Sequence, residues 1–519
     1  MINPRETIPP TRISFKSILF TNRTAPSQEA PAFFTDLNLV QVVASVTYGK
    51  EEYHLEPFFH TPLHDEAEIV YRQEVMKDLE NANLLNCVVR FSEAMWATRR
   101  QMPDPKAGNY KQQDERFFLE AVNIYCTGIR ALFQALKPIT LASAGLLAFR
   151  EYLSGYLQSQ AFLALVTDTT RLLTDLASIE YCVLVNGLKV QVLPYREETD
   201  YSAEVDRTFE KFRRDPVKDY RAQFTPTLQM NHVEASILAG VATLYPQVFT
   251  ALDDYCARNA GYVDETIRQF DREIQFYVSW LDYISKMKQA GLPFCYPKIS
   301  GDTRDIYDYE SFDLALASQL VKKGLSVVRN DFYLKDGERV FVVSGPNQGG
   351  KTTFARTFGQ LHYLAALGCP IPGQEAKLYL FDRLFTHFEK MEHIGNLRSK
   401  LEDDLFRLHN ILQEATPNSI IILNEILSST TLQDAILLSK KIMERIVRLD
   451  AICVWVSFIE ELLAFSEKTV SMVSTVVPGN PSLRTFKIER KPADGLAYAL
   501  SIAEKYQVTY NDLQHRINT

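Results

Sequence analysis

Several features are missing from this 519-residue chain, and each absence removes a class of function. No uninterrupted apolar run reaches the ~18 residues that a membrane-spanning helix needs, so no membrane span is expected. The first residues, MINPRETIPPTR, are polar and proline-rich with no apolar core, which argues against a secretory signal. Seven cysteines (Cys87, Cys126, Cys182, Cys256, Cys295, Cys369, Cys453) lie far apart with no C-x-x-C pair. Scattered thiols of odd number fit a reducing cytoplasm better than a disulfide framework or a zinc site, and a cytoplasmic location is expected. Positive charge is not in excess either: the net charge is −8, so a nucleic-acid face has to be a local basic patch. Repeats of fixed period and low-complexity tracts are absent. What remains is an ordinary globular balance, 46% apolar and 23% charged, in a chain long enough for about two to four domains.

The first 300 or so residues read as mostly helix. Apolar positions at Val263, Ile267, Phe270, Ile274, Tyr277, Leu281 and Ile284 follow an alternating spacing of four and three, which puts one continuous stripe on a helix. A second stripe, Phe118, Val122, Tyr125, Ile129, Leu132 and Leu136, ends before Pro138. Such stripes are packing seams, or else levers between distant sites; the spacing fits both. Between Leu193 and Thr227 the pattern breaks into a charged stretch with Pro194, Pro216 and Pro226, which reads as an exposed excursion. Its basic cluster, Arg207, Lys211, Arg213 and Arg214, is offset by acids and is not a DNA-binding patch on this basis. After Pro297 short apolar runs (Phe312–Leu316, Val340–Ser344, Ile420–Leu423, Ile452–Val456) alternate with helical stretches, the texture of a parallel sheet with crossover helices. The expected organisation is therefore a mainly α-helical core and lever region over 1–300, in one or two subdomains, followed by an α/β P-loop NTPase domain over 301–519.

The chemistry sits in the second part. Val340–Ser344 reads as a buried strand and feeds Gly345, Pro346, Asn347, Gln348, Gly349, Gly350, Lys351, Thr352 and Thr353, after which a helical pattern starts. A strand, a glycine-rich turn, Lys-Thr and a helix form a P-loop: backbone N–H groups converge on phosphate oxygens and the helix N-terminus adds partial positive charge. Lys351 is expected to reach the β- and γ-phosphates of ATP, and the Thr352 hydroxyl to hold Mg²⁺. A second strand, Ser419–Leu423, ends in Asn424-Glu425, where such domains ordinarily place Asp then Glu. An amide still accepts a bond from a metal-bound water but lacks the charge that strengthens Mg²⁺ binding, so Asn424 is a weak metal ligand. Glu425 is the candidate base. Nucleotide binding is expected, and hydrolysis is expected to be slow.

Taken together these residues resemble the ATPase domain of the MutS mismatch-repair family, an ABC-type ATPase. Gly345–Thr352 is similar to its GPN-x-GGK-S/T loop, and Asn330-Asp331 to its Asn-Asp before the first ATPase strand. Leu367-Gly-Cys369 with Ile371-Pro372, and Phe381-Asp-Arg-Leu-Phe-Thr386, resemble two further stretches. Asp434 matches the family's Asp after the strand-end carboxylate, while Asp494-Gly495, Tyr498 and Ile502-Ala503 resemble the family's closing helix. In the helical part, Thr61–Asp65 followed by Ile69 and Arg72 looks like the Pro-Leu-x-Asp turn and Ile-x-x-Arg helix of the family core. The resemblance implies a homodimer with two composite ATP sites, in which Ser399 is the signature serine that contacts nucleotide across the dimer, and a DNA-related role. Departures accompany it. Asn424 replaces the metal-side Asp, Phe458 stands where a switch histidine belongs, Ser399 is followed by Lys-Leu rather than Thr-Phe, and the loop after Glu425 reads Ile-Leu-Ser-Ser-Thr-Thr. No mismatch-reading domain with a Phe-x-Glu wedge and no C-terminal nuclease-like extension are expected. These departures, with the pI of about 5.7, favour the alternative reading, a nucleotide-gated scaffold that binds a protein partner and no DNA. Phosphoryl transfer to an acceptor other than water has no acceptor-site motif in its favour.

Overall fold

A computed structural model describes residues 15–22, 25–102, 110–187, 189–198, 204, 207–208, 230–389, 399–478, 480–492, 509–510 and 514. The N-terminal stretch 1–12, the basic residues Lys211, Arg213 and Arg214, and the closing residues Asp494, Gly495, Tyr498, Ile502 and Ala503 lie outside the described residues.

In chain order the first elements are α1 (Leu39–Thr47), α2 (Glu56–Phe59), α3 (Glu66–Leu79), α4 (Ala82–Gln101), α5 (Lys111–Leu136), α6 (Ala144–Leu157) and α7 (Gln160–Ala177). A hairpin β1 (Tyr181–Asn186) and β2 (Lys189–Pro194) precedes α8 (His232–Leu244), α9 (Pro246–Arg258) and α10 (Glu265–Gln289). Then come β3 (Phe294–Cys295), β4 (Lys298–Ser300), β5 (Ile306–Ser311), α11 (Leu314–Lys322), β6 (Asn330–Leu334), β7 (Val340–Ser344) and α12 (Lys351–Ala366). The chain continues through β8 (Ile371–Pro372), β9 (Glu375–Tyr379), β10 (Leu384–Phe388), α13 (Lys400–Glu414), β11 (Ile420–Asn424), α14 (Leu432–Leu449), β12 (Ile452–Val456), β13 (Thr469–Val477) and β14 (Asn480–Arg490). Helical segments and mixed sheets of this kind are compatible with helical domains plus an α/β domain. Among the described residues no single helix is long and apolar enough to cross a membrane, and all seven cysteines are free thiols.

The chain forms two compact units. The first holds Met1–Phe15, Asn81–Leu141 and Leu147–Asp271. Here the stripe of α5 is wholly buried, from Phe118 through Leu136, as helical spacing of apolar residues requires. Helices α4 and α5 approach closely: a Cβ on Gly128 would lie 2.8 Å from Ala94 Cβ. The β1–β2 hairpin interrupts the helices where Tyr181, Val183 and Val185 alternate, and these side chains are exposed.

The second unit holds Lys16–Glu80, Ala142–Leu146 and Arg272–Thr519. Its main sheet has six strands in the order β10-β11-β12-β7-β13-β14, parallel throughout except for the last pair. Strands β7, β11 and β12 are buried along their whole length, which is why they read as unbroken apolar runs and not as alternation. Period two still decides the faces. Val340, Val342, Ile421, Leu423, Cys453 and Trp455 pack with Leu408 of α13 and Ile442, Met443 and Ile446 of α14. Phe341, between Val340 and Val342, meets Phe354 and Phe358 of α12. A second sheet, β4-β9-β5-β6, lies in the same unit.

The strand expectation for Phe312–Leu316 is corrected. Asp313 Oδ1 accepts from Leu316 N at 2.8 Å, and the run opens helix α11. A short, mostly apolar run such as Phe-Asp-Leu-Ala-Leu does not by itself distinguish a strand from a helix start, and the capping Asp313 decides it.

Residues from the first 80 fasten the helix that follows the P-loop. Arg356 Nε donates to Asp36 O at 2.9 Å and Gln360 Nε2 to Leu37 O at 2.8 Å. Arg72 of α3 is fully buried: its Nε donates to Leu19 O at 2.9 Å and its Nη1 to Leu367 O at 3.1 Å, at the C-terminal end of α12. The guanidinium lies between the rings of Phe20 and Phe276, 4.8 and 5.4 Å from their centroids. A cation is favoured at that end of a helix, where carbonyls lack partners.

Candidate functional site

β7 is a central strand, flanked by β12 and β13, and its last residue Ser344 delivers the chain into the Gly345–Gly350 turn. The turn needs glycine for stated reasons. Gly350 caps α12 with φ 96°, a conformation that costs L-residues steric strain. A Cβ on Gly349 would fall 2.2 Å from Ser474 Oγ, whose hydroxyl donates to Gly349 O at 2.7 Å. A Cβ on Gly345 (φ 115°) would lie 2.9 Å from Ser474 O. Gln348, in the middle of the loop, also has a positive φ of 59°. Lys351, Thr352 and Thr353 form the first turn of α12, whose N–H groups have no intrahelical acceptor.

Lys351 lies over this loop. Its Nζ donates to Gly345 O at 3.0 Å, Pro346 O at 3.2 Å and Asn347 Oδ1 at 3.1 Å, and Glu425 Oε1 is 3.6 Å away. Only 6% of the lysine side chain is exposed. Burial lowers its pKa, and the nearby Glu425 carboxylate works against that shift.

Glu425 and Asn424 come from the tip of β11, two strands from β7. Glu425 N donates to Val456 O at 3.0 Å. Glu425 and Leu427 both have positive φ, 52° and 60°. Two such non-glycine residues store strain of about 1–3 kcal/mol each, and buried Ile426 and Leu427 anchor the loop against it. Asn424 is buried, and its Oδ1 has no hydrogen-bond partner among the described residues. A buried acceptor without a donor is costly, so this oxygen fits a site completed by a metal-bound water.

The structure thus brings Lys351 and Glu425 together at the loop. Ser399 caps its own helix: its Oγ accepts from Glu402 N of α13 at 3.3 Å. Phe458 follows β12 with its ring more than half exposed. Other motif residues hold the fold. Asn330 Oδ1 accepts from Ile488 N at 2.8 Å, and Asp331 Oδ1 from Glu310 N at 2.7 Å. Asp382 accepts from the hydroxyls of Thr416 and Ser419 at the start of β11. Asp434 and Thr431 cap α14 reciprocally. Reading the sequence missed Ser474, which backs the loop from β13, and Phe486 of β14, whose main chain lies within 4 Å of a Cβ placed on Gly350. Phe486 has a positive φ of 58° and a half-exposed ring. Neither has a local sequence signal: β13 carries Ser474 to the loop by pairing with β7, and β14 carries Phe486 there by pairing with β13.

Residues 341–509 match the sequence model of MutS domain V. Among curated proteins, the DNA mismatch repair protein MutS of Fervidobacterium nodosum is 28% identical over 211 residues, 40% of this chain and 24% of that protein. MutS of Halalkalibacterium halodurans is 29% identical over 181 residues, covering 34% and 21%. MutS of Thermotoga neapolitana is 34% identical over 120 residues, covering 23% and 15%. These matches span less than a quarter of each relative's length. They support a MutS-family protein, at low identity and over part of the chain.

Proposed function

We propose that this chain is a MutS-like ATP-binding protein that acts as a homodimer with two composite nucleotide sites, in a DNA-related role. The observation that carries the reading is the P-loop itself: positive-φ glycines at a strand-to-helix turn, with a nearly buried Lys351 3.6 Å from Glu425. The 1–300 helical region and the 301–519 P-loop domain remain the proposed organisation.

ATP fits the residues present. Gly345 and Gly349 leave no room for a side chain against Ser474, and Gly350 holds a positive φ, so the loop backbone stays bare, and the N–H groups of the first turn of α12 face the same end. Lys351 would exchange its carbonyl partners for phosphate oxygens. Phe486 offers an exposed ring beside the loop for the base. Mg²⁺, when bound, supplies charge neutralisation at the phosphates; Thr352 would hold it directly and Asn424 through water. Glu425 would orient the attacking water and accept its proton. Ser399, which in one chain caps its own helix, would address the nucleotide of the second copy.

A second reading, a nucleotide-gated scaffold with little turnover and no DNA binding, is favoured by one feature: Asn424 brings an uncharged oxygen where a carboxylate is expected. ATP hydrolysis by the purified chain, with and without linear and branched DNA, separates the two. Turnover that DNA changes and Glu425→Gln abolishes supports the first reading. Tight ATP binding without turnover, indifferent to DNA, supports the scaffold. Lys351→Ala is expected to weaken nucleotide binding severely; unchanged binding refutes both.

A further inference from the structure

Two of the places where the sequence departs from the MutS pattern, Ser399-Lys-Leu and the loop after Glu425, meet in space at one side chain. Glu389 follows directly on β10. Its backbone N–H donates to Asn424 O at 3.3 Å, which fixes it beside the tip of β11. Its Oε1 accepts from Ser428 Oγ at 2.7 Å, in the Glu425 loop, and from Lys400 Nζ, the first residue of α13. One carboxylate therefore bridges the Glu425 loop and the first residue of α13.

A second contact gives the bridge a defined register. His387 and Glu389 are two residues apart and lie on one face of an extended chain. Lys400 and Asp404 are four apart and lie on one face of a helix. His387 Nε2 and Asp404 Oδ1 are 3.0 Å apart and both side chains are buried. The pairs His387–Asp404 and Glu389–Lys400 thus form two rungs between the end of β10 and the first turns of α13. The inner rung fixes the helix; the outer one adds the loop through Ser428. The half-exposed pair Glu389–Lys400 contributes little to global stability by itself, so its consequence is geometric. The two hydrogen bonds hold the Glu389 carboxyl below the usual carboxylate range, so the bridge is charged at neutral pH.

We infer that Glu389 is a positioning residue that locks the loop carrying Glu425 to the helix led by Ser399. The inference rests on the functional reading above. In that dimer Glu425 belongs to the chain's own nucleotide and Ser399 to its partner's, so a displacement at one site moves a group of the other. The link is mechanical, through one carboxylate, and requires no motion of the sheet.

The test uses the full chain and an ATP analogue carrying an N-methylanthraniloyl fluorophore, with release rate as the first readout and hydrolysis as the second. Lys400→Glu places like charges face to face, and Glu389→Lys does the same in reverse. Each is expected to speed analogue release about tenfold, and to lower any kcat about tenfold with KM within about twofold. Exchanging the two charges in the double variant is expected to restore release to within about threefold. Ser428→Ala frees only the loop and is expected to move release in the same direction with the melting temperature unchanged. Single variants that release like wild type, or a double variant no better than the worse single, overturn the inference and leave nucleotide binding standing. Absence of analogue binding to wild type overturns the functional reading and this inference with it.

Discussion

Replacing Arg72 separates a charge effect from a packing effect at the joint between the P-loop helix and α3. The side chain is wholly buried, donates to Leu19 O and Leu367 O, and faces two aromatic rings; its Nη2 has no partner among the described residues. Burial lowers its pKa, with Tyr277 and Cys369 among the groups that oppose the shift. Arg72→Ala removes the cation and leaves a cavity between Phe20 and Phe276, a loss of about 3–5 kcal/mol. Arg72→Met keeps most of the volume. It strips two carbonyls of a donor, at about 1–3 kcal/mol each, and relieves the desolvation of a cation that no carboxylate pairs. The net expectation is a loss of about 1–2 kcal/mol. Urea titration followed by tryptophan fluorescence suits the comparison, because Trp280 and Trp455 are buried in this unit and Trp96 belongs to the other. With an m-value of about 3 kcal/mol/M, the alanine variant shifts the midpoint down by more than about 1 M and the methionine variant by about half that. Equal losses for the two mean that the charge, not the packing, holds the joint. Losses below about 0.5 kcal/mol for both refute the claim that Arg72 fastens α12.

Asn424→Asp is expected to lower the Mg²⁺ concentration for half-maximal nucleotide binding about tenfold, by adding charge next to the metal; a magnesium titration with unchanged midpoint removes Asn424 from the metal shell. Asp308 is fully buried in β5 with neither carboxyl oxygen partnered among the described residues, and burial, with Asp331 adding to it, raises its pKa well above the ordinary value. A raised acid contributes stability below its unfolded pKa of about 3.9 that is lost as pH climbs through the folded value. Asp308→Asn is therefore expected to raise the melting temperature at pH 8 and to have little effect at pH 4; the opposite order refutes the assignment. His362 is buried in α12 and pushed down to about 4 by desolvation, with Nδ1 2.9 Å from Phe358 O. Its contribution is present above about pH 6.5 and fades as pH falls toward 4, so His362→Gln is expected to flatten the acid limb of the stability profile.

Legibility in the sequence followed the kind of burial. β7, β11 and β12 are strands with both faces covered, so Val340–Ser344, Ile420–Leu423 and Ile452–Val456 stand out as apolar runs. The P-loop was legible because its glycines answer a local demand, at Gly350 a positive φ. β5 was not legible: Ile-Tyr-Asp-Tyr-Glu-Ser carries two acids, and nothing in it tells that Asp308 faces inward against Gly373. Ser474, Phe486 and Glu389 act through contacts set by tertiary pairing, which no spacing encodes. The family-like residues themselves divide in space. Asn330, Asp331, Asp382 and Arg72 make bonds that fasten strands and helices to one another. The departures collect around the C-terminal tips of β10, β11 and β12: Asn424 at the tip of β11, Lys400 and Ser428 on Glu389, Phe458 after β12. Framework and phosphate loop keep the pattern while the metal-side charge and the loop beside the base do not. Substitutions in these two groups should therefore separate experimentally, the first lowering stability with nucleotide affinity intact, the second changing metal dependence and release with stability intact.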